Sequence, residues 1–177
     1  MIADKNYKKE WFEFMGYKPH SGQLKLHYPE KDSAQFFVMV CGRRFGKTTA
    51  SAMEATYIAS QPNKKIWLVG LSYDKADLMF REVWQKMVIG RANDIERASE
   101  KERFIKFKWG TTIEGKSADN PDSLVGEGLD LLIIDEAAKV KKRIWDMYLS
   151  PTLSDRKGKA VFISTPEGFN WLYDLYL

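Results

Sequence analysis

The stretch that most constrains this chain is Cys41-Gly42-Arg43-Arg44-Phe45-Gly46-Lys47-Thr48-Thr49, which follows the apolar run Phe36 to Val40 and opens a segment of small, helix-compatible residues. A buried strand that delivers the backbone into a tight turn, with a helix following at once, leaves the first N–H groups of that helix unpaired and aimed at an anion. The stretch therefore reads as a phosphate-binding loop. Gly46 lets the backbone approach phosphate oxygens, Lys47 adds a point charge near the β- and γ-phosphates, and the Thr48 hydroxyl is suited to hold Mg²⁺. Gly42, Arg43, Arg44, Phe45 and Thr49 complete the nucleotide-binding stretch. One position departs from the usual pattern, because the glycine expected five residues before Gly46 is Cys41. A Gly-Lys-Thr triplet alone is a weak signal, so the reading requires a carboxylate partner downstream.

That partner lies about ninety residues further on, where the apolar run Leu129 to Ile134 ends in Asp135-Glu136. A strand ending in Asp-Glu presents one carboxylate to the Mg²⁺ shell, usually through a water, and a second that polarises or deprotonates the attacking water. By itself an acidic pair at a strand end is a common solubilising feature. Joined to the loop, it indicates binding and hydrolysis of a nucleoside triphosphate. A further strand, Ala160 to Ile163, ends in Ser164-Thr165-Pro166. Tips of parallel strands converge on one edge of the sheet, so this hydroxyl pair is suited to sense the γ-phosphate through water and report hydrolysis. The plain alternative is a turn initiated by proline.

The remainder of the chain reads as scaffold. Tyr7, Trp11, Phe14 and Met15 recur at helical spacing, and Gly16 to Gln23 has the composition of a loop. Gln23 stands out there, because a side-chain amide matches the acceptor-donor edge of adenine, with Tyr17 or His20 available to stack. The run Phe36 to Cys41 predicts a central parallel strand buried on both faces. Ala50, Ala52, Ala55 and Ala59 would let the following helix lie close to the sheet. Lys65 to Val69 predicts a second strand, and Ser72 caps a helix with Ala76, Met79, Phe80, Val83 and Met87 on one face. Gly90 to Arg103 is polar enough to predict an exposed loop or loosely held helix, and Ile105 to Glu114 a β-hairpin.

At 177 residues the chain suits one well-buried domain, and no apolar run approaches the ~18 residues of a membrane span. Met1 to Glu10 lack an apolar signal core. A single cysteine excludes an internal disulfide. A net charge of +4 permits contact with nucleic acid without requiring it.

Gln23, the arginine-bearing loop, Leu-Ile-Ile-Asp-Glu-Ala-Ala at 132–138 and Ser-Thr-Pro at 164–166 together resemble the ATPase domain of the large terminase subunit of tailed bacteriophages, over roughly Trp11 to Tyr176. The resemblance implies an α/β P-loop NTPase of the RecA-like ASCE type, with a mostly parallel central sheet flanked by helices, and residues 1–177 forming a single ATPase domain. It implies adenine binding by Gln23, phosphate and Mg²⁺ binding by Lys47 and Thr48, metal contact by Asp135, water activation by Glu136 and coupling by Ser164 and Thr165. Arg43 or Arg44 would reach the γ-phosphate in cis, an arrangement in which a guanidinium neutralises developing charge. The family's atypical Walker A loop also accommodates Cys41.

The implied cofactors are ATP and Mg²⁺. The implied partners are double-stranded DNA, a portal protein and a small terminase subunit, in a ring of large subunits within the cytoplasm of an infected bacterial host, with no membrane contact. Val125 stands where many relatives carry an arginine, which leaves no trans-acting arginine at that position. Relatives continue into a lid and a nuclease domain, so this chain is expected to be a fragment without nuclease activity. Two other readings stay open: a superfamily 2 helicase-type motor, which Asp-Glu-Ala-Ala and Ser-Thr-Pro also resemble, and a nucleotide-gated ring-assembly module with little turnover.

Overall fold

The computed structural model describes residues 5–29 and 34–177. Residues 1–4, on which part of the N-terminal targeting reading falls, lie outside the described residues. The strands are β1 (Phe36–Val40), β2 (Lys65–Gly70), β3 (Ile95–Ser99), β4 (Phe104–Phe107), β5 (Thr112–Ser117), β6 (Leu131–Asp135) and β7 (Lys159–Ser164). They form one seven-stranded sheet in the order β1-β7-β6-β2-β5-β4-β3. The first five in that order run parallel, and β4 and β3 are added antiparallel as the expected hairpin and its extension.

The near-continuous apolar strands follow from cover on both faces. In β6, Leu131 and Ile133 join a core with residues of α1 (Lys5–Phe14), α3 (Lys47–Ala59) and α4 (Tyr73–Trp84). Leu132 and Ile134 face the other way, onto Trp145, Leu149, Leu153 and Leu172. The second layer comes from α5 (Lys142–Ile144), which continues as a π-helical turn to Leu149, and from α6 (Trp171–Tyr176). Ala50, Ala55 and Ala59 of α3 are fully buried, in keeping with a helix drawn close to the sheet. Among the described residues no helix is long and apolar enough to cross a membrane.

Three expectations need correction. First, β1 lies at the edge of the sheet, not at its centre, and Phe36 and Val40 remain 40% and 39% exposed. An apolar run reports the layers above and below a strand and carries no information about its lateral neighbours. Second, the presumed loop ends in a helix, α2 (Ser21–His27), whose N-cap is His20: its ring nitrogen accepts the Gly22 N–H at 3.1 Å while its own N–H donates to Gln23 Oε1. Histidine is not among the usual capping residues, which hid the start of this helix. Third, the polar segment contains β3, with Ile95 opposite Phe107 and Ala98 opposite Ile105. A bulge between Ile95 and Arg97 breaks the alternation that would have marked a strand. Ser72 does occupy the N-cap of α4, but its side chain makes no capping bond.

A buried ionic cluster ties α1 and α2 to α3, the helix that begins at the loop. Lys8 Nζ lies 2.7 Å from Glu54 Oε1, His27 Nδ1 lies 2.8 Å from Glu54 Oε2, and the Tyr17 hydroxyl meets His27 Nε2 at 3.0 Å. Burial pushes the Glu54 carboxyl up, but Lys8 and His27 more than offset it and hold the group below its ordinary value. A depressed carboxylate contributes stability above its unfolded pKa and loses it as pH falls through the folded value. Glu54→Ala should therefore cost about 3 kcal/mol at neutral pH, because it removes a buried carboxylate bonded by both Lys8 and His27. Urea denaturation checks this: the gap between wild type and variant should narrow in acid, and a neutral-pH loss below about 0.5 kcal/mol would contradict a structural tie.

Candidate functional site

The loop from Cys41 to Gly46 connects β1 to α3, and Gly46 is the helix N-cap in the left-handed region at φ 84°. Glycine is required there twice over, by that φ and because an added Cβ would lie 2.6 Å from Gln23 Nε2. The loop is held from behind by α2. Gln23 Nε2 donates to the Gly46 carbonyl at 3.0 Å, and the His20 ring lies 3.0 Å from the Phe45 carbonyl and packs edge-on against the Phe45 ring. From the sheet side, the Cys41 N–H donates to the Ser164 carbonyl at 3.1 Å. Lys47 is buried, and its ammonium donates to the Cys41 and Gly42 carbonyls at 2.9 Å each, folded across the loop.

Opposite the loop, β6 delivers Asp135 and Glu136. Asp135 is buried and its Oδ1 accepts the Glu136 N–H at 2.8 Å. Burial pushes the Asp135 carboxyl above its ordinary value, with adjacent Glu136 acting in the same direction, against the pull of the Glu136 N–H, Lys47 and Lys75. Glu136 adopts a left-handed conformation at φ 49°, uncommon for a residue with a side chain and a recurrent feature of functional sites. Its Oε2 accepts the Thr165 hydroxyl at 3.2 Å.

Arg43, Arg44, Phe45, Gly46, Lys47, Thr48, Thr49, Asp135, Glu136 and Thr165 thus line a single open cleft of about 550 Å³. Three site residues named from the sequence, Gln23, Gly42 and Ser164, do not line it. Gln23 sits behind Gly46, its Oε1 accepting the His20 N–H and its Nε2 donating to the Gly46 carbonyl. Ser164 is fully buried and serves the loop through its carbonyl, while its hydroxyl has no partner among the described residues. Gly42 contributes the carbonyl that accepts Lys47.

The sequence reading missed Lys75, Leu78 and Glu82, which project from α4 into the same cleft, and Lys139 just beyond Glu136. Their signal was the i, i+3, i+7 stripe beside the apolar face of α4. Glu82 accepts the Thr49 hydroxyl at 3.1 Å, and burial pushes its carboxyl up. Five basic side chains, Arg43, Arg44, Lys47, Lys75 and Lys139, face three acidic ones, Glu82, Asp135 and Glu136. Among the described residues neither Arg43 nor Arg44 makes a hydrogen bond or ion pair, so their charge is available to an anion.

The donor set also fits Mg²⁺. A hydroxyl and a buried carboxylate offer hard oxygens, and a nearby cation would relieve the burial that raises the Asp135 pKa. Among the described residues no group of three or more His, Cys, Asp or Glu stands ready to cage a metal. Mg²⁺ typically needs no such cage, since it takes one or two protein ligands and completes its shell with phosphates and waters.

Comparison with known proteins places this architecture. The family described as terminase large subunit, T4likevirus-type, N-terminal, matches residues 38–177. The terminase large subunit of Thermus virus P23-45 is 33% identical over 186 residues, covering 95% of this chain and 38% of that protein. That of Escherichia phage T5 is 30% identical over 164 residues, covering 91% and 37%. The chain thus spans well under half the length of these curated relatives. Among solved structures, the large terminase ATPase domain of Thermus phage P74-26 superposes with a TM-score of 0.84 at 33% identity, over 94% of this chain and 72% of that one. The HK97 bacteriophage large terminase, at 15% identity and a TM-score of 0.75 over 91% of this chain and 37% of that one, shares the fold.

Proposed function

Since the chain belongs to the terminase large-subunit family, matching its N-terminal region, we infer that residues 1–177 act as one Mg²⁺-dependent ATPase domain of a motor that moves double-stranded DNA into a procapsid. The observation that supports this most is the convergence of the loop cations with Asp135 and Glu136 on one cleft. Partners of the whole protein would be a portal protein, a small terminase subunit and further copies of the large subunit, in the cytoplasm of an infected bacterium.

In this reading the β- and γ-phosphates of ATP lie against the backbone N–H groups that open α3. Lys47 exchanges its two loop carbonyls for phosphate oxygens. Arg43 or Arg44 neutralises charge at the γ-phosphate as the bond to the leaving ADP breaks. Thr48 and Asp135 would hold Mg²⁺, which would supply charge neutralisation to the phosphates. Glu136 orients the attacking water and takes its proton, and Thr165 passes the change to the segment beyond β7. Gln23 and His20 hold the loop in a shape that receives phosphate.

Asp135→Asn tests the metal role. A carboxyl whose folded pKa is raised costs stability once pH exceeds its unfolded value. The amide keeps the acceptor for the Glu136 N–H and removes that penalty. The apo variant should therefore be more stable at neutral pH, by about 1 kcal/mol, with the advantage shrinking as pH falls toward the ordinary carboxylate range. Titration of a fluorescent ATP analogue with and without Mg²⁺ should show metal-dependent affinity in the wild type and its loss in the variant. Metal-independent binding by the wild type would count against the reading.

A further inference from the structure

Lys139 and Glu167 have no part in the reading above, yet both meet the Glu136–Thr165 pair. Lys139 Nζ lies 3.7 Å from Glu136 Oε2 and 3.4 Å from Glu167 Oε1. The Thr165 hydroxyl lies 3.2 Å from Glu136 Oε2 and 3.4 Å from Glu167 Oε1. A threonine hydroxyl carries one hydrogen and so can donate to one of these carboxylates at a time. Lysine carries three and can face both at once. The Thr165 hydroxyl thus lies between two carboxylates that it can serve only one at a time, with the Lys139 ammonium beside both.

On the ATPase reading of this cleft, we propose that Glu167 is the alternate acceptor for the Thr165 hydroxyl, a positioning residue that lets Glu136 be released to the attacking water, with Lys139 the counter-ion common to both arrangements. In the arrangement seen here Glu136 Oε2 is occupied by Thr165. An oxygen that must accept a proton from water acts better when that hydrogen bond is gone. No proton leaves Thr165; only its acceptor changes. The change has a mechanical outlet. The Glu167 carbonyl faces Asn170 Nδ2 at 3.4 Å, and Asn170 Oδ1 caps α6 through the Leu172 and Tyr173 N–H groups. Moving Thr165 onto Glu167 therefore acts on the six-residue link from β7 to α6. Glu167 and Lys139 are 38% and 45% exposed, so replacing them leaves the core intact.

The test compares wild type, Glu167→Met, which keeps length but removes the acceptor, and Glu167→Gln, which retains an acceptor oxygen. Steady-state ATP hydrolysis, affinity for a non-hydrolysable ATP analogue with Mg²⁺, and hydrogen exchange across residues 165–171 with and without that analogue are measured on each. Glu167→Met should lower kcat about tenfold with KM and analogue affinity within about twofold, and Glu167→Gln should recover much of it. The analogue should alter exchange across 165–171 in the wild type and not in Glu167→Met, a readout that does not depend on turnover. If Glu167→Met binds the analogue and matches wild type in both kcat and exchange, the switch is wrong and the ATP site stands. A rise in KM with kcat and exchange unchanged would also overturn it. If the wild type itself fails to bind the analogue, the reading of the cleft fails, and this inference with it.

Discussion

Glutamine in place of Glu136 is expected to lower kcat for ATP hydrolysis by about 10²–10⁴-fold, the range of a lost general base, while ATP affinity stays within about threefold. The split follows from where Glu136 sits. It directly follows β6 at the mouth of the cleft, held from behind by the Thr165 hydroxyl, and none of the loop N–H groups that would seat phosphate depends on it. Glutamine preserves an acceptor for Thr165, so the substitution removes the base together with its contact to the exposed Lys139 ammonium. Phosphate release measured beside equilibrium binding of a fluorescent ATP analogue checks both halves. Unchanged kcat would remove Glu136 from the chemistry. Tight binding without turnover in the wild type would favour a ring-assembly module gated by nucleotide.

Alanine at Lys47 should have the opposite signature, with ATP affinity falling about a hundredfold, since a buried charge that pairs with phosphate is lost. The same ammonium ties the loop by donating to the Cys41 and Gly42 carbonyls. Its removal should therefore also cost the apo protein about 1 kcal/mol, since the two loop carbonyls lose their donor. Isothermal titration with ATP and Mg²⁺ reads the first effect and urea denaturation the second. Affinity unchanged at Lys47→Ala would mean that the ammonium stays on the loop when nucleotide binds, and that phosphate is held by other groups.

The convergence of the loop with Asp135, Glu136 and Thr165 was legible in the sequence because these residues sit at the tips of apolar strands. The runs before Cys41, Asp135 and Ser164 announce strands, and parallel strands bring their ends together without further information. What was not legible depends on lateral and tertiary neighbours. The edge position of β1 is set by which strand pairs with which, and Phe36 to Val40 reads the same in either place. Lys75, Leu78 and Glu82 enter the cleft because the apolar face of α4 seats the helix on the sheet and so turns the adjoining stripe toward the loop. Gln23 was singled out for a property of its amide that the fold has already engaged, on His20 and Gly46, in a helix capped by an unusual residue. Lys139 belonged to a basic run that reads as a solvated face until Glu136 is placed beside it.

On the proposed ATPase reading, the surroundings of the loop account for its two arginines and for its departure from the usual glycine pattern at Cys41. Arg43 and Arg44 stand exposed at the cleft and Lys47 lies across the loop, so the cations available to phosphate come from three neighbouring residues of one turn. A guanidinium offers a planar fork of donors, which suits a γ-phosphate whose charge spreads over three oxygens.

The most direct measurement is a crystal structure of this chain with Mg²⁺ and a non-hydrolysable ATP analogue. The account predicts the β- and γ-phosphates on the N–H groups that open α3, Lys47 Nζ withdrawn from the Cys41 and Gly42 carbonyls onto phosphate oxygens, Mg²⁺ between Thr48 and the Asp135 side, and Arg43 or Arg44 at the γ-phosphate. Nucleotide bound elsewhere, or bound in the cleft with Lys47 still on the loop carbonyls and both arginines turned away, would contradict it.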